Sequence, residues 1–249
     1  METLALLDKL AVQCEHSGTY VDPITAKMRQ FDIRGELRVG KLGKLWLAVE
    51  CKNVGDSCPV VVHTVPRNES ESFVTGLVYK RPPGNLSGRM DPSFVRLSGL
   101  DTPYQVGESV GKAFDQVKLS PSGEPSIGES EAFDKFSQAV NSLRDLIVRG
   151  TRQWNEPSFQ FFLPVLVVPE GRLWAVRYNE HGGRVGLPAQ AVHVSHFLNH
   201  SWPCGFADLE YPVSHLEIVT PSGLRTLVEG AQTTSPHFWA LSKHIPELS

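Results

Sequence analysis

The chain has 249 residues, 41% hydrophobic and 20% charged, with a formal net charge of −3. That length and apolar content suit one large domain or two small ones with a sizeable core, and they exclude a disordered chain. No run of 18 uncharged apolar residues is present to span a bilayer, and the near-neutral balance excludes coating nucleic acid by overall charge, so any such contact falls to a local basic patch. Met1-Glu2-Thr3 carries neither the basic start nor the apolar stretch of a secretory leader, and Cys14, Cys51, Cys58 and Cys204 form no C-x-x-C pair. A cytoplasmic protein with reduced thiols is the expectation.

In chain order, residues 2–14 place Leu4, Leu7 and Ala11 at helical spacing, with Leu6 and Leu10 widening the stripe, and predict an amphipathic helix. Short strands follow at Tyr20-Val21, about Phe31 to Val39 and Leu45 to Cys51, the last two bracketing a turn at Gly40 to Gly43, then a strand at Pro59 to Val65. Residues 81–130 hold Pro82-Pro83-Gly84, Asp91-Pro92 and Ser120-Pro121-Ser122-Gly123, and are expected to be long loops around one or two short elements. The clearest helix runs from Glu131 to Arg149, where Phe133, Phe136, Val140, Leu143 and Ile147 recur at three- and four-residue steps and Gly150 stands at the C-cap. Two apolar strands, Phe161 to Val168 and Arg172 to Tyr178, are joined by Pro169-Glu170-Gly171. Beyond them the pattern predicts a helix near Ala189 to Asn199, a strand from Val213 to Thr220 and a loop-rich tail. Residues 1–180 are thus expected to form a core with an insertion at about 81–130, and residues 181–249 an elaboration packed on it.

The two-residue side-chain period from Leu45 to Lys52 puts Leu45, Leu47, Val49 and Cys51 on one face of a strand and Trp46, Ala48, Glu50 and Lys52 on the other. A hairpin turning near Leu42 would set Asp32 opposite Lys52 and Arg34 opposite Glu50, making Asp32 and Glu50 diagonal neighbours that one divalent ion could bridge. Hard carboxylate oxygens suit Mg²⁺ or Mn²⁺, and a lysine two residues on can position a water or stabilise charge on a phosphate oxygen. The plainer alternative is a surface ion pair between Glu50 and Lys52. Against it stands the burial expected beside Leu47 and Val49, where charges need compensation.

Through Asp32 and Glu50-Cys51-Lys52 the chain resembles the PD-(D/E)XK nuclease superfamily, whose core is a helix, a strand hairpin bearing Asp and Glu-x-Lys, a second helix and a further strand. The segments Arg29-Gln30-Phe31-Asp32-Ile33 and Leu47 to Asn53 are similar to those of its restriction-endonuclease-like members, although Phe31 stands where a proline often precedes the aspartate. The resemblance implies an α/β fold, a restriction-endonuclease-like core with a mixed central sheet flanked by helices. It also implies a Mg²⁺- or Mn²⁺-dependent endonuclease that hydrolyses DNA, with Asp32 and Glu50 as metal ligands, Lys52 beside the attacking water, and a role in defence against foreign DNA. A scaffold that only binds or regulates is the alternative.

Between Ile24 and Asn53 seven basic residues face three acidic ones, and Arg38, Lys41 and Lys44 at the hairpin tip are the candidates for holding a phosphate backbone. DNA is the expected partner, with RNA, a homo-oligomer and a partner protein left open and no membrane association. Gln138 resembles a glutamine that some superfamily members carry on the second helix, yet the helical wheel turns it from the apolar stripe. Glu2 and Glu15 have no spacing that fixes them and stay outside the metal set. Trp46 is read as packing, with base stacking as the sharper alternative. His193, His196 and His200 with Cys204 would align on a helix as a zinc site, but the order is not a finger pattern and no zinc is expected. Ser201 and Ser214 lack the glycine frame of a nucleophile elbow.

Overall fold

The computed structural model describes residues 1–40, 42–53, 58–80, 90–119, 124–128, 131–151, 157–204 and 209–233. Its first helix, α1 (Glu2–Lys9), is shorter than the apolar stripe predicts: Leu10 caps it, Ala11 takes a positive φ of 58°, and the chain turns into strand β1 (Gln13–His16). Competition from sheet pairing shortens the helix, because β1 lies antiparallel to β4 (Ile33–Val39). Between them a small hairpin, β2 (Thr19–Val21) and β3 (Met28–Gln30), stands as its own two-stranded sheet. Buried Asp22 ties its turn, accepting from the Ile24 and Thr25 N–H groups and from Asn141, and pairing with Arg29.

Strand β4 pairs antiparallel with β5 (Gly43–Cys51) through a turn in which Gly40 has φ 62°, a conformation that suits glycine. The expected faces hold. Leu45, Leu47 and Val49 enter one core with α1, while Trp46 and Ala48 enter another with helix α2 (Glu131–Gly150). Helix α2 is the crossover that parallel pairing requires, leading to β11 (Ser158–Val167), which runs parallel to β5 along nine residue pairs. The α2 stripe facing the sheet is Ala139, Leu143, Leu146 and Ile147; Phe133, expected on it, is 53% exposed.

The segment 81–130, expected as long loops around one or two short elements, carries three strands among its described residues. After β6 (Val60–Pro66) come β7 (Phe73–Lys80), β8 (Asp91–Ser98), β9 (Ser109–Leu119) and β10 (Pro125–Gly128). The proline- and glycine-rich stretches 82–84 and 120–123 lie outside the described residues, but β8 pairs with β7 and β9 with β6, pairings that local punctuation does not encode. Strands β11 and β12 (Leu173–Tyr178) are adjacent in sequence yet do not pair: β12 lies parallel to β6 and antiparallel to β13 (Arg184–Gln190).

The helix expected at 189–199 is also overturned. Residues 193–203 form β14 (His193–Pro203), antiparallel to β15 (Glu210–Val219), with a bulge between Phe197 and His200 where Asn199 has φ 47°. The fold is therefore α/β, with a 13-stranded mixed sheet flanked by few helices. Strand β11 sits at its hub. On the edge away from β5, residues 158–160 pair with β7 and residues 165–167 with β15. Pro164, with no N–H to donate, falls in the interval between the two. Helix α3 (Pro221–Gln232) starts at Thr220, whose hydroxyl accepts from Gly223 N–H at 3.3 Å, and packs Leu224 and Val228 on the β5 face that α1 also covers. Among the described residues no helix is long and apolar enough to cross a membrane.

Candidate functional site

The hairpin closes with Val39 opposite Gly43, so the turn centres on position 41 rather than on Leu42. A one-residue shift of the centre moves the register by two. The ladder ends with Ile33 opposite Val49, and the next pair outward is Asp32 and Glu50, directly opposed, where a diagonal relation with Asp32 facing Lys52 had been expected. Each acid grips the backbone of the facing segment: Asp32 N–H donates to Glu50 Oε1 at 3.3 Å, and Cys51 N–H to Asp32 Oδ2 at 2.8 Å.

A third residue completes the cluster. Lys135, on the first turn of α2 to reach the sheet, donates from Nζ to Asp32 Oδ2 at 2.8 Å and to Glu50 Oε2 at 2.7 Å. The helix puts it there because 135, 139, 142 and 146 share one side, and Ala139, Ser142 and Leu146 are buried on the sheet. Glu50 is fully buried, whereas the Asp32 and Lys135 side chains keep 34% and 26% of their exposure, so the cluster opens to solvent on the Asp32 side.

Burial pushes the Glu50 carboxyl up to about 7; the Lys135 hydrogen bond pulls it back, and the nearby Asp32 charge adds to the rise. Burial opposes the Asp32 charge as well, but the Lys135 contact and the Cys51 N–H outweigh it and hold that carboxyl below its ordinary value. Burial likewise works against the Lys135 ammonium, and the two carboxylates more than compensate, raising its pKa. Two neighbouring acids are thus driven apart in acidity, which separates their roles near neutral pH. The Tyr20 hydroxyl, buried without a hydrogen-bond partner among the described residues, has its pKa raised by its burial and by the Glu50 charge.

Lys52 follows the end of β5, and its N–H donates to the Val167 carbonyl at 2.8 Å. Of the basic residues around the hairpin, Arg34 is buried, paired with Asp145 at 2.8 Å and lying over the Phe31 ring at 4.0 Å, so it belongs to the packing of α2. Lys44 pairs with Glu36 at 2.5 Å and lies 5.4 Å from the Trp46 ring centroid; Arg38 is exposed; Lys41 lies outside the described residues. Trp46 donates its indole N–H to Gln160 at 2.6 Å and stacks on Phe162, which removes it from base stacking. Gln138 is half-buried, and Glu15 pairs with Arg149 on the surface.

The histidines diverge instead of aligning. His193 bonds Glu217, His196 sits edge-on to Phe114 and Phe136, and His200 lies against Trp202. Chemically, the Asp32–Glu50 pair is two carboxylates already converging on one cation. That donor set fits a hard divalent ion of the Mg²⁺ type, which takes one or two carboxylates and completes its shell with water and phosphate oxygens. No protein-family profile, curated protein or solved structure matches the chain.

Proposed function

We propose that the chain is a metal-dependent phosphodiesterase that cuts DNA, with a restriction-endonuclease-like core made of α1, the β4–β5 hairpin, α2 and β11. The observation that carries this reading is the convergence of Asp32 and Glu50 on a single cation across the mouth of the hairpin. The element order supports it, since the strand that ends in Glu50-Cys51 and leads into Lys52 pairs with the strand that Asp32 precedes and runs parallel to the strand that follows the second helix.

A divalent cation held by Asp32 and Glu50 would lower the pKa of a bound water and offset charge on the scissile phosphate. Asp32, ionised and partly exposed, would offer the first oxygen; Glu50, with its carboxyl pushed up to about 7, would supply the second once it has lost its proton. Lys52 is assigned to the attacking water. Lys135 donates to both acids and would have to give up these contacts to a divalent cation. Arg38, Lys41 and Lys44 are assigned to the phosphate backbone, and a role in defence against foreign DNA follows from the family resemblance.

The test is incubation of the chain with Mg²⁺ or Mn²⁺ and labelled single- and double-stranded DNA and RNA. DNA cleavage is expected from the native chain and from neither Glu50→Gln nor Lys52→Ala, with binding retained in both. Full activity of Glu50→Gln sinks the site. One observation favours a second reading, a silent nucleic-acid-binding or regulatory module: the Lys135 ammonium already occupies the place between the two acids. Binding without turnover under either metal would establish it.

A further inference from the structure

On the sheet face opposite Glu50 a cavity of about 640 Å³ opens under α3. The two-residue period separates it from the acid pair: Leu45, which lines it, points away from the side of β5 that carries Glu50. Its size falls within the roughly 300–1,000 Å³ of small-molecule sites. One wall is apolar, built from Leu45, Phe161 and Leu163 of adjacent strands and Leu227 of α3. The other is polar and carries both signs of charge.

The two acids on that wall are consumed internally. Glu217, 1% exposed, accepts from Tyr104 Oη at 2.7 Å, from Ser195 Oγ at 2.8 Å and from His193 Nε2. Glu108 accepts from Arg67 Nη1 at 3.1 Å and from Gln105 N–H at 3.3 Å. The cations keep donors in reserve. The Arg67 side chain is 2% exposed, yet its Nε has no hydrogen-bond partner, and His193 is engaged through Nε2 alone among the described residues. Arg177 is exposed at the lining and has no acidic partner among the described residues. An exposed guanidinium at the lining with no carboxylate of its own can take a charged acceptor bidentately.

We propose that this cavity binds an organic anion, a carboxylate or sulfonate on an apolar body of medium size, with the charged head toward Arg67, His193 and Arg177 and the body against Leu45, Phe161, Leu163 and Leu227. Burial disfavours the charged imidazole of His193, but the Glu217 carboxylate outweighs it and raises the pKa, which favours a ring that donates from both nitrogens.

The probe is 1-anilinonaphthalene-8-sulfonate, followed by fluorescence and calorimetry on the native chain, with octanoate and octan-1-ol as competitors. Saturable binding at one probe per chain is expected, displaced by octanoate at concentrations where octan-1-ol has no effect. Arg177→Gln, at an exposed side chain, should weaken octanoate at least fivefold without moving the melting temperature. Gly230 lines the cavity, and a Cβ there meets nothing within 4 Å, so Gly230→Leu should cut probe affinity at least tenfold. Equal displacement by octan-1-ol, an unchanged affinity in Arg177→Gln, or unsaturable binding would overturn the proposal. The outcome is independent of whether the chain cleaves nucleic acid.

Discussion

Glu50 is an acid that folding prefers neutral. Its carboxyl titrates near 7 in the folded chain against an ordinary 4.5, so as pH rises through that window the unfolded chain ionises first and stability falls; above about 7 the deficit is constant. Glu50→Gln should therefore raise unfolding free energy at pH 8 by about 1–3 kcal/mol, the partner lost by Lys135 taking back part of the gain, and should change little near pH 4. Urea unfolding at the two pH values checks this. A variant less stable at pH 8 would mean that the Lys135 contacts dominate the burial penalty. The residue-level reading from sequence placed Glu50 on the right face, because a period of two needs only local alternation. Lys135 could not be found that way. Its partners lie 85 and 103 residues upstream, and its only local sign is that it heads the stripe continued by Ala139, Ser142 and Leu146.

Among the elements, α3 depends on a close approach. A Cβ at Gly223 would lie 1.9 Å from the Val192 carbonyl oxygen, a backbone atom that cannot swing aside. Gly223→Ala should cost at least about 2 kcal/mol and detach the helix start, whereas Gly230→Ala, in open space, should gain up to about 1 kcal/mol from helix propensity; thermal unfolding of both variants separates these cases. The hairpin tip is a second element with a measurable property. Neutralising Lys41 and Lys44 together should flatten the salt dependence of DNA affinity by at most about two in log–log slope, measured on several duplexes, with similar losses on each. Element type was legible where periodicity was long, as in α2. It failed in β14, where His193, His196 and His200 stand three and four apart, a helical spacing, yet the segment pairs with β15 as a strand bulged after Phe197.

At the scale of the molecule, the proposed function would couple metal loading to folding through the same two acids. Mn²⁺ should stabilise the chain by about 2.7 kcal/mol at a hundred times its dissociation constant. The effect should grow between pH 6 and 8 as Glu50 gives up its proton and vanish in Glu50→Gln, read as the melting temperature with and without metal. The architecture as a whole was the least legible part of the sequence. Strand β6 pairs with β9 and β12, and β11 with β5, β7 and β15, and each of these matches joins segments that share no local pattern.

Strand β11 has a consequence for how the chain is made. Because β5 leaves the ribosome more than a hundred residues before its parallel neighbour, the apolar run Leu45, Leu47 and Val49 waits on an open edge during synthesis. Ribosome-bound chains halted before residue 158 should be captured by chaperones or aggregate, and those released after β15 has emerged should not. Pairings this remote also slow the search for the native arrangement, so refolding from denaturant belongs among the slow, β-rich cases rather than the microsecond helical ones.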